Sequence, residues 1–181
     1  MTEAHGTPAP TPETKEAEPG FHGLFLKELG ITSSRLPDHI GVEVILLDVK
    51  DLESALKRLR TSPETEMNYL VTVSGVEQTD SFESVYHLWS YNHTRELVVK
   101  VRVLKADVAE EKLPVVPSIA SAWQAANWHE RETYDLMGIR YSGHPYLRRI
   151  LNPWDWDGHP LRRDYKQPVD ALNDKNPHSM R

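Results

Sequence analysis

The chain has 181 residues, no cysteine, 27 acidic and 21 basic residues, and a formal net charge of −6. That length suits one domain with tails and is enough to bury a core. The lack of cysteine excludes a disulfide framework, a thiolate nucleophile, a cysteine-ligated iron–sulfur cluster and a cysteine-type zinc site.

No apolar run approaches the roughly 20 residues that a membrane-spanning helix needs, and the N-terminal sequence has no signal-peptide pattern. A soluble, cytoplasmic chain is expected, and its acidity weighs against nucleic acid as the main partner. Residues 1–20 hold four prolines and, after Met1, no large aliphatic or aromatic residue. Such a segment cannot bury enough apolar surface to offset its ordering entropy, so it is expected to be a disordered tail. Residues 21–29 form a short amphipathic helix ended by Gly30. Residues 40–49 are rich in β-branched side chains and predict a strand. Asp51 is placed to cap a helix through Arg60, with Leu52, Leu56 and Leu59 on one face.

Further strands are predicted over residues 67–76, 83–93 and 94–104. In the last, Leu97, Val99, Val101 and Val103 alternate with Lys100 and Arg102, and the last two strands can pair as a hairpin across residues 92–95. Alternation of this kind leaves one sheet face dry and the other wet or covered by a partner. Residues 108–117 read as a loop. Ser118 then starts a helix that runs to Leu136 and stops at Gly138. The fold class expected is α+β: a small mixed or antiparallel sheet covered by helices. From Ile139 onward periodicity stops, and an extended irregular segment is expected. The domain reading is a tail at 1–20, an α+β domain at 21–138 and an extended segment at 139–181.

The chemistry concentrates in residues 118–165. Four of the five tryptophans and six of the twelve arginines lie there, without a lysine. Arginine in place of lysine suits planar, bidentate pairing or stacking. Six carboxylates match the six arginines: Glu130, Glu132, Asp135, Asp155, Asp157 and Asp164. On the helix, Glu130 falls within the apolar stripe of Ile119, Ala122, Trp123, Ala126, Tyr134 and Met137. Arg131 and Asp135 form an i,i+4 pair on the polar face, and Glu132 lies beside Trp128 and Leu136. A carboxylate in an apolar stripe is costly unless paired, so Glu130 and Glu132 are expected to meet Arg148, Arg149, Arg162 or Arg163. On that reading Glu132→Ala strands a buried arginine and costs about 3–5 kcal/mol.

Competing readings use the same residues. Glu130 and Glu132 could be a general acid/base pair, but an arginine is available to every carboxylate, which favours a structural role. His144 and His159 each precede proline, but they lack the spacing of a metallohydrolase. Tryptophan beside arginine can stack on bases, but the matched acidic charge points instead to a protein partner. No GxGxxG, P-loop or G-x-S-x-G motif is present.

The run Glu130-Arg131-Glu132-Thr133-Tyr134-Asp135-Leu136-Met137-Gly138-Ile139, followed by His144-Pro145 and Arg148-Arg149-Ile150-Leu151, resembles the signature of the 30 kDa subunit family of respiratory complex I. Trp156-Asp157-Gly158-His159-Pro160-Leu161-Arg162-Arg163-Asp164-Tyr165 is similar to that family's ending. Tyr86-His87-Leu88 and Val116-Pro117-Ser118-Ile119 also fit its pattern. The resemblance covers residues 20–168 and departs from some relatives at His159.

It implies a non-redox subunit of the peripheral arm of a proton-translocating NAD(P)H- or ferredoxin-quinone oxidoreductase. It also implies no cofactor in this chain: the complex holds iron–sulfur clusters, quinone, and NAD(P)H with FMN or ferredoxin. The implied partners are the 49 kDa-type quinone-site subunit and the cluster-bearing subunits, and the implied location is the cytoplasmic side of a membrane, held there indirectly. No catalytic or metal-ligating residue is expected. Glu130, Arg131, Glu132, Asp135, Arg148, Arg149, Arg162, Arg163 and Asp164 are expected to form a structural and interface network. The alternatives are the equivalent subunit of a related membrane-bound hydrogenase, or a stand-alone enzyme using Glu130 and Glu132.

Overall fold

The computed structural model describes residues 19–37, 41–109 and 112–166. The tail expected at 1–20 lies outside them but for residues 19 and 20, as do residues 167–181 of the segment expected at 139–181 and Ile40 of the predicted strand.

The helix α1 (Phe21–Glu28) leads to strand β1 (Ser33–Leu36) and strand β2 (Glu43–Leu47). A 3-10 turn precedes helix α2 (Leu52–Thr61). Strands β3 (Tyr69–Glu77), β4 (Ser81–Ser90) and β5 (Arg95–Leu104) follow. A short strand β6 (Val115–Pro117), helix α3 (Gln124–Met137) and strand β7 (Arg140–Ser142) complete the described elements. Five strands form one sheet in the order β1-β2-β5-β4-β3, and β6 pairs with β7 in a second. The larger sheet is mixed: β2 runs parallel to β5, and its other pairings are antiparallel.

The β4–β5 hairpin turns where the sequence places it, through residues 91–94. Successive strand residues face opposite sides, so one face collects Ile45, Leu47, Tyr86, Leu88, Leu97, Val99 and Val101, all buried. Against it pack Leu52, Ala55, Leu56 and Leu59 of α2, spaced at helical period along one stripe, and Leu26 of α1. Ala126 and Met137 of α3 join the same core, together with Ile139 and Tyr141 of the chain that follows.

The cap expected for α2 is corrected, and α1 has a cap that the sequence did not point to. Asp51 occupies the position before α2 but makes no side-chain capping bond. The N-terminus of α1 is capped instead from across the fold: Glu43 of β2 accepts the His22 and Gly23 N–H groups at 3.2 and 3.1 Å and the His22 ring at 2.7 Å. Burial opposes ionisation of Glu43, but these bonds prevail and hold its pKa below the ordinary value.

Strands β1, β6 and β7 fall where the sequence predicts none. They are three or four residues long, too short to show a period, and β6 and β7 exist only by pairing with each other. The expected helix start at Ser118 is also corrected. Residues 119–123 make a turn in which the Ala122 and Trp123 N–H groups both reach the Ile119 carbonyl, and α3 begins at Gln124. Ser118 does not cap it: it lies ahead of the turn, where its Oγ donates to Glu130 and accepts the Ala120 N–H at 3.2 Å.

Helix α3 lies close to the sheet because β3 carries glycine at 75. A Cβ there would sit 2.6 Å from Thr133 Cγ2 and 3.2 Å from Met137 Cβ. Gly75→Ala is expected to push α3 off the sheet and cost about 1–3 kcal/mol. A lowered thermal midpoint of the purified chain checks this.

Candidate functional site

The irregular segment after β7 is built onto the C-terminal end of α3. The last carbonyls of a helix lack intrahelical partners, and here the following chain supplies them. Gly138, at φ +69°, ends the helix in the left-handed region and donates its N–H to Tyr134. The Asp135 carbonyl accepts from His159 Nδ1 at 2.9 Å and Arg149 Nη1 at 3.0 Å. The Leu136 carbonyl accepts the Leu161 N–H at 3.0 Å. Arg162 donates Nε to the Met137 carbonyl at 2.9 Å and Nη2 to the Gly138 carbonyl at 3.3 Å. Two guanidinium groups therefore sit at the negative end of the helix dipole.

The Asp135 side chain organises the same segment. It is fully buried and accepts five hydrogen bonds: Arg149 Nη1 at 2.8 Å, the N–H groups of Ile150, Leu151 and Asn152 at 2.9, 2.7 and 2.9 Å, and Asn152 Nδ2 at 2.9 Å. Burial by itself would raise its pKa. The Arg149 guanidinium and the N–H donors of Leu151 and Asn152 outweigh that and hold it at about 2. Arg149 also donates Nη2 to the Gly158 carbonyl at 2.8 Å, joining residues 149 and 158. His159 donates Nδ1 to a carbonyl, and its burial lowers the ring's pKa, so the neutral Nδ1–H form is held. Its ring lies so close to Gly138 that a Cβ there would meet it at 2.4 Å.

A second anchor lies farther along. Glu77 of β3 accepts the Arg163 N–H at 2.8 Å and Lys105 Nζ at 2.5 Å, and these partners outweigh its burial to lower its pKa. The sequence reading missed Glu77, which is distant along the chain and ends a strand of ordinary composition.

Glu130 behaves in the opposite way. It is fully buried and accepts Ser118 Oγ–H at 2.6 Å and the Ile119 N–H at 2.7 Å. His144 Nε2 is 4.0 Å away and donates instead to the Asn127 carbonyl at 3.2 Å. Burial raises the Glu130 pKa to about 7 against the pull of the two hydrogen bonds. The arginine partner expected for Glu130 is thus corrected: two neutral donors hold it. Glu132 is exposed and makes no ion pair among the described residues. The expected burial of Glu132 and the cost assigned to Glu132→Ala are both corrected, because no arginine among the described residues pairs with it and its side chain stays in solvent.

The Arg131–Asp135 pair does not form either. Arg131 donates Nε to the Arg148 carbonyl at 3.2 Å and lies over the rings of Trp128 and Tyr146. Arg148 lies over Tyr146, while Arg163 and Asp164 are exposed. The arginines thus use three kinds of partner: a carboxylate for Arg149, backbone carbonyls for Arg131, Arg149 and Arg162, and aromatic rings for Arg131, Arg148 and Arg162.

This geometry gives no acid/base pair, since Glu130 is enclosed and Glu132 is exposed. Among the described residues no group of three His, Cys, Asp or Glu side chains could hold a metal, and no helix is long and apolar enough to cross a membrane.

The fold and this site define an α+β domain whose built feature is an ordered irregular segment clamped to a helix end. Residues 45–170 match the family described as respiratory-chain NADH dehydrogenase, 30 Kd subunit, and the chain belongs to that family. It is 46% identical over 109 residues to the C-type NADH-quinone oxidoreductase subunit of Roseiflexus sp. (strain RS-1), covering 59% of each chain. It is 34% identical over 154 residues to the second such C-type subunit of Rhizobium etli (strain CIAT 652), covering 83% of this chain and 78% of that one. The matched region spans only 54% of the corresponding Nocardioides sp. (strain ATCC BAA-499 / JS614) protein, at 40% identity. The chain thus spans little more than half the length of several relatives. A chain in the structure of the membrane-bound sulfane sulfur reductase, an archaeal respiratory membrane complex, shares the fold with a TM-score of 0.62 at 17% identity, over 85% of this chain and 88% of that one.

The opposed carboxylates give opposed pH dependences. Asp135 has a depressed folded pKa, so its stabilisation is present above the ordinary value of 3.8 and is lost as pH falls towards about 2. Asp135→Asn is expected to cost about 3–5 kcal/mol and to remove that acid dependence, whereas Glu132→Ala changes stability by less than about 0.5 kcal/mol. Chemical denaturation of each variant across this pH range checks both. Glu130 has a raised folded pKa, so the folded state loses stability as pH rises from the ordinary value of 4.5 to about 7. Glu130→Gln is expected to flatten that decline in thermal melts taken between those limits.

Proposed function

We propose that this chain is a non-redox subunit of the peripheral arm of a proton-translocating NADH-quinone oxidoreductase. It supports assembly near the quinone site while electrons pass through iron–sulfur clusters carried by other subunits. Membership of the 30 Kd subunit family and the NADH-quinone oxidoreductase relatives support this reading. The chain has no cysteine to ligate a cluster.

The observation that carries a scaffolding role is the clamp itself. Ordering a long irregular segment costs about 1–2 kcal/mol per residue in backbone entropy, and Asp135, Arg149 and Arg162 provide the bonds that offset it. In this role Asp135, Arg149 and Arg162 shape the segment from within, and Glu130 fixes the turn that leads into α3. Arg131, Glu132, Arg148, Arg163 and Asp164 are the members of the network that face neighbouring subunits. The segment from residue 139 onward extends over those neighbours, which are the 49 kDa-type subunit and the cluster-bearing subunits. Membrane attachment is indirect, through them, on the cytoplasmic side.

The test is affinity purification of the tagged chain from gently solubilised membranes of its native host. Co-purification with cluster-bearing and quinone-site subunits, and loss of NADH:quinone reductase activity when the gene is deleted, are the expected results. A chain recovered alone, with reductase activity intact in the deletion strain, overturns the assignment.

A further inference from the structure

On the side of α3 away from the sheet, two arginines and two aromatic rings alternate along one surface. The guanidinium carbon of Arg131 is 4.9 Å from the Trp128 ring centre and 5.6 Å from that of Tyr146, and that of Arg148 is 4.5 Å from Tyr146. Trp128 is 63% exposed and Tyr146 52%. The row is anchored from beneath. Arg131 Nε is tied to the Arg148 carbonyl, the Tyr146 N–H donates to His144 Nδ1 at 2.9 Å, and His144 Nε2 is tied to α3 through the Asn127 carbonyl.

The charge on this row is uncompensated. Neither Arg131 nor Arg148 is paired with a carboxylate among the described residues, in a chain whose net charge is −6. The Nη groups of Arg131 and all the side-chain N–H groups of Arg148 have no acceptor among the described residues. Stacking on rings satisfies the flat faces of a guanidinium and leaves its in-plane donors available, the geometry that receives a carboxylate bidentately. Because the stacking already limits side-chain freedom, a partner that binds there incurs less ordering cost. Exposed tryptophan, tyrosine and arginine together are also the residue types that dominate interface energetics.

We propose that Trp128, Arg131, Tyr146 and Arg148 form a docking surface for an acidic segment of a neighbouring subunit, with its Asp or Glu carboxylates received by Arg131 and Arg148. The proposal rests on the multi-subunit reading above and adds to it the chemistry of the contact.

The test uses the assembled complex in native membranes, with the chain carrying Arg131→Lys or Arg148→Lys. Each variant keeps the charge and adds an amine that a carbodiimide joins to a carboxylate in direct contact. The expected result is a zero-length cross-link from Lys at 131 or 148 to an Asp or Glu of another subunit, absent from the unsubstituted chain. In addition, Arg131→Gln/Arg148→Gln is expected to reduce retention of that subunit at least tenfold when salt is raised during purification. If the lysine variants co-purify with the full complex but cross-link only within the chain, to a second copy of it, or not at all, the docking proposal is overturned and the subunit assignment stands. If the unsubstituted chain co-purifies with no other subunit, both fall.

Discussion

The architecture depends on how the C-terminal end of α3 is terminated. A helix that ends against a core must satisfy its last carbonyls, and water cannot reach all of those positions. Here the carbonyls from Asp135 to Gly138 are taken by His159, Arg149, Leu161 N–H and Arg162, which come from a stretch with almost no secondary structure of its own. The dependence runs both ways. The helix end is satisfied only if the segment is in place, and the segment is ordered only because the helix end and the Asp135 carboxylate hold it. Helix, irregular segment and β3, through Glu77, are therefore joined by hydrogen bonds.

Two buried carboxylates on one helix, five residues apart in sequence, end with opposite titration behaviour. Asp135 meets a guanidinium and a fan of N–H donors, so its charged form is favoured in spite of burial. Glu130 meets one hydroxyl and one N–H, too few to offset its desolvation, so its neutral form is favoured. Elevated carboxylate pKa values often mark catalytic acids. In Glu130 the cause is enclosure against the turn at residues 118–120, where it fixes how the chain leads into α3, and the group is shut away from any substrate.

The arginines divide between the interior and the surface. Arg149 and Arg162 are engaged inside the chain on the helix end, while Arg131 and Arg148 are held on rings at the surface with donors still available.

The sequence by itself determined what depends on local pattern. Hydrophobic period marked α1, α2, the three long strands and most of α3, and Gly138 marked the helix stop. The dense motif from Glu130 to Tyr165 was specific enough to point to the family, and the absence of cysteine excluded the chemistries that a cluster would bring. Local pattern failed where partners are remote. Asp135 sits on what reads as a polar face, and its burial comes from residues 149–152 folding back over it, which no helical period encodes. Glu132 sits beside apolar residues and is nevertheless exposed, because no arginine of the segment reaches it. Glu43 and Glu77 looked like ordinary strand residues, yet one caps a helix and the other pins Arg163. Which charge meets which donor is set by distances between chain segments far apart in sequence, and those distances exist only once the sheet, α3 and the irregular segment have packed together.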